Sequence, residues 1–234
     1  MALKHLKQFE DINDCLVMAK KGDAEAQCYL GSAYDFRRQQ VSQDYKAAMK
    51  WYTLSAEQGY ALAQYALGSL YENGQGASQD YKTAIKWYTL AAEQLDSSAQ
   101  YALGVMYANG KGTSQDYKTA IKWYTLAAEQ GNAGAQYALG VMYADGLGVA
   151  QNYQESLKFF TLSAEQGNAE AQYNLAVMYG KGEGVPKDSS MAKIYMSIAA
   201  ASGLKNAIDF EKKMTPSQLK EAQNLAREWV RTHK

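Results

Sequence analysis

The sequence predicts an all-α solenoid of tandem 36-residue helix pairs, closed at each end by capping helices. Three observations predict it. Aromatic residues return every 36 positions, each period holds two stretches of helical apolar spacing, and in most periods a glycine-containing loop separates the two. A period between about 20 and 50 residues marks a stacked array, because one helix pair cannot bury both of its apolar stripes and has to lean on its neighbours.

Three ladders carry the period: Trp51, Trp87, Trp123, Phe159 and Tyr195; Tyr45, Tyr81, Tyr117 and Tyr153; and Gly59, echoed by Gly131, Gly167 and Gly203. They set five units at 24–59, 60–95, 96–131, 132–167 and 168–203, with 1–23 and 204–234 as capping segments.

Taken in order, the N-terminal segment from Phe9 to Lys21 places Ile12, Cys15, Met18 and Ala19 in helical register, a half-unit that covers the first pair. The first unit replaces the Gly-x-Gly loop by Asp35-Phe36-Arg37-Arg38-Gln39-Gln40-Val41, one residue longer. The second unit is the plainest. Ala63, Ala66, Leu67, Leu70 and Tyr71 make one helical face, and Tyr81, Ala84, Ile85, Tyr88, Ala91 and Ala92 make the next, bordered by Trp87. Asn73-Gly74-Gln75-Gly76 stops the first helix, since glycine enters the left-handed region without a Cβ clash. Asp80 caps the second, as do Asp44, Asp116, Asn152 and Asp188 in the other units. Leu95 stands where other units have glycine. A left-handed leucine costs about 1–2 kcal/mol, so a rearranged turn is expected there. The fifth unit diverges most, with Ala176 in place of the first-helix glycine and Asn174 at an otherwise apolar or small position. Thr215-Pro216-Ser217-Gln218 combines an N-cap threonine, a proline at the first helical position and a capping-box glutamine, and opens a last amphipathic helix with Leu219, Ala222, Leu225, Ala226 and Trp229.

Composition narrows the function. Lys plus Arg and Asp plus Glu are equal at 24 each, so there is no excess positive charge to draw a nucleic acid. No apolar run approaches the roughly 20 residues of a membrane helix, so no membrane insertion is expected. The start, Met1 to Lys7, lacks the apolar stretch of a secretory signal. The chain reads as cytoplasmic as written, and as periplasmic or secreted if a signal has been removed. Cys15 and Cys28 fit neither a zinc site nor a disulfide framework and read as small apolar fillers. His5 and His233 are the two histidines, both in terminal segments, which leaves no interior imidazole for catalysis or metal binding. Neither a cofactor nor a metal is expected.

Two strings imitate catalytic motifs. Gly110-Lys111-Gly112-Thr113 lacks the spacing of a phosphate loop, in which Gly-Lys is followed directly by Ser or Thr. Ser190-Met191-Ala192-Lys193 and Ser202-Gly203-Leu204-Lys205 match Ser-x-x-Lys without the Ser-Asp-Asn and Lys-Thr-Gly partners of penicillin-recognising enzymes. A serine hydrolase is therefore the weakest reading. Glu57, Glu93, Glu129 and Glu165 run beside Lys50, Lys86, Lys122 and Lys158, the signature of a solvated helix face.

The unusual face belongs to the first helices, on the side away from the core stripe. It runs Cys28, Ser32, Asp35; Tyr65, Ser69, Glu72; Tyr101, Val105, Ala108; Tyr137, Val141, Ala144; and Tyr173, Val177, Gly180. A solvated face normally carries charge. Tyrosines beside valines suggest a contact surface, with Tyr65, Ser69, Glu72, Tyr101, Val105, Tyr137, Val141, Tyr173 and Val177 as candidate protein-binding residues. Packing between adjacent first helices is the alternative for the same residues.

Leu67-Gly68-x-x-Tyr71 resembles the core of tetratricopeptide repeats, but the period exceeds 34 and a Gly-x-Gly loop intervenes. Residues 99–107 (Ala-Gln-Tyr-Ala-Leu-Gly-Val-Met-Tyr), 109–112 (Asn-Gly-Lys-Gly), 116–118 (Asp-Tyr-Lys) and 123–131 (Trp-Tyr-Thr-Leu-Ala-Ala-Glu-Gln-Gly) resemble the Sel-one-like repeat, or SLR, and Leu204 to Trp229 resembles the C-terminal cap of bacterial members. The resemblance implies a right-handed α/α superhelix and a non-catalytic adaptor or scaffold of bacterial type. Its partner would be a protein or peptide, and the chain itself a monomer. Immunity against a secreted toxin is the alternative role.

Overall fold

Helix follows helix along the chain because every period repeats one capping programme. The computed structural model describes residues 12–36 and 42–232. His5, His233 and residues 37–41 of the long first loop lie outside the described residues. The chain forms two compact units, 1–127 and 128–234. The first holds α1 (Ile12–Lys20), α2 (Ala24–Phe36), α3 (Tyr45–Glu57), α4 (Ala61–Asn73), α5 (Tyr81–Glu93) and α6 (Ser97–Asn109), and the division falls inside α7 (Tyr117–Glu129). The second holds α8 (Ala133–Asp145), α9 (Tyr153–Glu165), α10 (Ala169–Lys181), α11 (Ser189–Ala201), α12 (Lys205–Glu211) and α13 (Pro216–Thr232). Within each unit, consecutive helices pack on one another as far as α12, and α13 packs back on α11, as expected of a capped α/α repeat fold.

The second helix of each pair starts as its sequence predicts. Asp44, Asp80, Asp116, Asn152 and Asp188 each accept two backbone N–H bonds from the first turn, for example Asp80 from Lys82 and Thr83. A second set of caps went unread. Asp23, Asp96, Asn132 and Asn168 accept from Ala26, Ala99, Ala135 and Ala171, and so start the first helices. The first helices α4, α6, α8 and α10 end on left-handed glycines, for example Gly74 at φ 68° and Gly110 at φ 67°. Thr215 and Gln218 form the expected reciprocal capping box at the start of α13.

The turn at Leu95 overturns an expectation. It is not rearranged: Leu95 takes φ 65°, and the bonds Leu95 N–H to Ala92 and Asp96 N–H to Ala91 match those of Gly59 and Tyr60 to Ala56 and Ser55. The hydrogen-bonded helix end holds the leucine in the left-handed region, with its side chain 68% exposed.

The core anchor also sits one position away from the most visible ladder. Trp51, Trp87, Trp123 and Phe159 are half-buried, whereas Tyr52, Tyr88, Tyr124 and Phe160 are buried. Each of these rings lies against a first-helix glycine. A Cβ on Gly31, Gly68 or Gly140 would come within 2.5–2.7 Å of the Tyr52, Tyr88 or Phe160 ring, and Gly104 faces Tyr124 in the same way. In the fifth pair Ala176 replaces the glycine and Met196 replaces the aromatic, so an extra methyl on one helix is met by an unbranched side chain on the other.

Polar groups in the interior are paired by the same periodic logic. Buried Gln27, Gln64, Gln100, Gln136 and Gln172 donate to the carbonyls of Ala19, Ala56, Ala92, Ala128 and Ala164, each on the preceding helix. Gln27, Gln64 and Gln136 also accept from the amides of Gln58, Gln94 and Gln166, and Gln172 accepts from the Ser202 hydroxyl. A buried amide without partners would cost about 1–3 kcal/mol.

Candidate functional site

The candidate face is built on first helices whose caps and glycine contacts fix their rotation. In the first unit Tyr65, Ser69 and Glu72 lie on α4, and Tyr101 and Val105 on α6; in the second, Tyr137 and Val141 lie on α8, and Tyr173 and Val177 on α10. All nine are half-buried. Their rings are supported from behind. Tyr65 lies 5.6 Å from the Tyr88 ring, Tyr101 5.8 Å from Tyr124 and Tyr137 5.8 Å from Phe160, all tilted. A tyrosine held on a buried aromatic keeps one edge for a partner and loses little rotamer freedom when that edge is covered.

In the first unit the face carries polar chemistry. The Tyr88 hydroxyl donates to the Glu72 carboxylate at 2.8 Å, and Lys111 Nζ faces the same carboxylate at 3.6 Å. Asn73 donates to the Ser69 carbonyl at 2.9 Å. Burial pushes the Tyr65 phenol up, and the charges of Asp96 and Glu72 and the Tyr101 phenol add to the shift. Burial raises Tyr101 as well, and both phenols stay neutral donors through the physiological range. In the second unit the corresponding positions hold Val141 and Tyr137 on one helix and Val177 and Tyr173 on the other, and Tyr137, Val141 and Tyr173 pack on the core at their back.

Sequence reasoning names the tyrosines and valines as candidates but misses the rings that stand behind three of the tyrosines. The Tyr52, Tyr88, Tyr124 and Phe160 series has the same 36-residue interval as the tryptophans beside it, and the facing glycines were the signal that it is the buried one. The partnership of Glu72 with Lys111 was also unread, because the two belong to different periods.

The imitated motifs are held in structural roles. Ser190 sits in the first turn of α11, where its N–H donates to Asp188, and Lys193 pairs with Glu221 at 3.7 Å. The Ser202 hydroxyl donates to Gln172 and to the Ile198 carbonyl. In the glycine loop, Gly110 and Gly112 take φ 67° and 71° to end a helix. Among the described residues, no helix is long and apolar enough to cross a membrane, and no group of three His, Cys, Asp or Glu side chains is placed to hold a metal ion.

Comparison with known proteins matches this geometry. The chain is similar to a protective antigen of uropathogenic Escherichia coli with an SLR fold, at 33% identity and a TM-score of 0.83 over 94% of this chain. It spans about half, 49%, of that antigen's length. A Sel1 repeat protein from Oxalobacter formigenes is 34% identical with a TM-score of 0.78, covering 92% of this chain and 86% of its own. An immunity protein of Pseudomonas aeruginosa shares the fold at 22% identity and a TM-score of 0.53, covering 90% of this chain and 80% of its own. No curated protein matches the sequence. The model of the Sel1 repeat matches residues 24–60, 61–94, 97–132, 133–168 and 169–204, and with five matches covering most of its length the chain belongs to the Sel1 repeat family.

Proposed function

We propose that this chain is a non-catalytic scaffold that binds a protein partner through the tyrosine and valine faces of its first helices. Sel1 repeats in general serve protein–protein interaction rather than catalysis. The observation that carries the reading here is the set of half-buried tyrosines Tyr65, Tyr101 and Tyr137, each braced on a buried ring and bordered by Ser69, Val105 or Val141. Braced aromatics with an apolar border are what interface hot spots are made of. Neutralising a toxin is a narrower form of the same activity, and the shared fold of the Pseudomonas immunity protein is what supports it.

The test replaces Val105 and Val141 together by lysine and leaves the tyrosines in place. A lysine stem can lie along the half-buried site while its ammonium opposes an apolar partner. Recovery of a partner from extracts of the source cells is expected to fall by at least about tenfold in affinity, with the unfolding midpoint little changed. Undiminished recovery would move the site to the loops or to the lysine-bearing face of the second helices.

A further inference from the structure

The two second helices of the first unit, α3 and α5, carry the same exposed stripe. On α3 the exposed side chains are Lys46, Lys50, Leu54 and Glu57, and on α5 they are Lys82, Lys86, Leu90 and Glu93. Steps of four, four and three residues keep each set on one side of its helix. Leu54 is 38% and Leu90 43% exposed, and the binding face of the first helices leaves both unused.

The helices run side by side in one direction. The loop before α5 rests on the start of α3, where a Cβ on Gly76 would meet the Tyr45 carbonyl oxygen at 2.5 Å. At the other end the Gln94 amide, just past α5, donates to the Gly59 carbonyl, just past α3, at 2.9 Å. Together they make a face that is basic at one end, apolar across the middle and acidic at the other.

That order of charges works against each helix taken alone. A helix favours anions at its start and cations at its end, yet Lys46 and Lys82 occupy the first turns and Glu57 and Glu93 close the last ones. Lys46 with Lys50, and Lys82 with Lys86, are like charges at i,i+4 and repel. Local relief is partial: the Lys50 ammonium lies 5.9 Å from the centroid of the Trp51 ring, and Lys86 acts on the capping carboxylate of Asp80. An antiparallel neighbour of the same kind reverses each disadvantage. It brings its acidic end to the lysines and its basic end to the glutamates, and sets leucine against leucine. Turned end for end, the face is its own complement.

The pattern fades along the chain. In α9, Gln154 replaces the first lysine, and Lys158 pairs with Glu155 on its own helix at 3.4 Å. In α11 the four positions hold Ser190, Ile194, Ile198 and Ala201.

We propose that the outer face of α3 and α5 docks on the same face of a second copy of this chain, with the helices antiparallel about a twofold axis, in place of the monomer that the sequence suggests. Leu54 and Leu90 meet their counterparts near the axis, and the lysines of each copy face the glutamates of the other. Two helices of 13 residues, each about 20 Å long and set about 10 Å apart, offer on the order of 400 Å² per copy. That is less than a permanent interface buries, so the dimer is weak and reversible. The first-helix tyrosines and valines take no part in it, and the protein-binding reading stands or falls separately.

The experiment is sedimentation of the full chain over a wide concentration range at low ionic strength. A monomer–dimer equilibrium is expected, weakened by added salt because the facing charges are screened. Lys50→Glu with Lys86→Glu makes the face acidic at both ends, and Glu57→Lys with Glu93→Lys makes it basic at both. Each pair should weaken self-association by at least about tenfold, since like charges then meet across the axis. Mixed together, the two variants should form a heterodimer at least as strong as the parent dimer. All four side chains are exposed, so the variants should keep the parent's circular dichroism and melting midpoint. Lys205→Glu with Lys220→Glu alters net charge equally at exposed positions of α12 and α13 and should dimerise as the parent does. A parent that stays monomeric throughout would overturn the proposal. So would charge variants that associate like the parent, or variants that fail to pair when mixed.

Discussion

Leu95 is a single residue working against its own backbone. Its φ of 65° is one that L side chains adopt at a cost of about 1–2 kcal/mol, and its exposed side chain recovers little of that cost by burial. Leu95→Gly is therefore expected to raise stability by about 1 kcal/mol, once the greater chain entropy of glycine is subtracted. Equilibrium denaturation decides it, and an unchanged midpoint would mean that the leucine makes compensating contacts. The recurrence of this turn's bonding from repeat to repeat was not legible in the sequence, because the helix-end hydrogen bonds that enforce it are backbone bonds that leave no residue signature. Tyr88 teaches a related lesson. Indole is the more conspicuous marker of a 36-residue period, but the phenol one position on is the side chain that Gly68 makes room for. Tyr88→Ala is expected to cost about 3–5 kcal/mol and Trp87→Ala about half as much, in proportion to burial. Equal losses in urea titrations would return Trp87 to the core.

The elements owe their ends to side-chain caps, and these make stability depend on pH in two opposed windows. Asp80 and Asp116 are held below the ordinary carboxylate range, first by the Thr83 and Thr119 hydroxyls and then by the N–H groups of the same threonines. A lowered folded pKa gives stabilisation that is complete above the unfolded pKa and lost as pH falls through the folded one. Asp35 and Asp96 are held above that range, chiefly by burial. Their sign is reversed: the penalty of a buried charge is present at neutral pH and is relieved as pH falls through the raised pKa. On acidification the denaturation midpoint should first rise and then fall. Asp35→Asn with Asp96→Asn should abolish the rise, while Asp80→Asn with Asp116→Asn should soften the fall. Helix positions and second-helix caps were legible because apolar spacing and Asp or Asn before each run are local features. Pairings such as Glu72 with Lys111 were not, since they depend on how one period's loop lies on the previous pair.

For the whole molecule, stability is carried by neighbours, and the last neighbour is α13. Trp229 on that helix lies 5.4 Å from the Tyr195 ring of α11, and Ala222 and Ala226 are buried beneath it. A chain ended after Met214 should lose hydrogen-exchange protection first in α10 and α11, as expected when a terminal repeat is left uncapped. Protection that remained uniform would show that α13 is dispensable. The tyrosines were legible in the sequence as a periodic set but not as a site, because tyrosine is suited to packing and to recognition alike, and only the rings behind Tyr65, Tyr101 and Tyr137, at Tyr88, Tyr124 and Phe160, show how they are braced. The buried glutamines bear on how such a gene changes length. Gln64 is satisfied by the Ala56 carbonyl behind it and the Gln94 amide ahead of it, and Gln136 by Ala128 and Gln166 in the same register. Duplication or excision of one full period rejoins equivalent donors and acceptors, whereas a fractional excision strands a buried amide at about 1–3 kcal/mol. Recombination within the gene is thus filtered toward whole-period steps, and copy number becomes a heritable variable that drifts in integers.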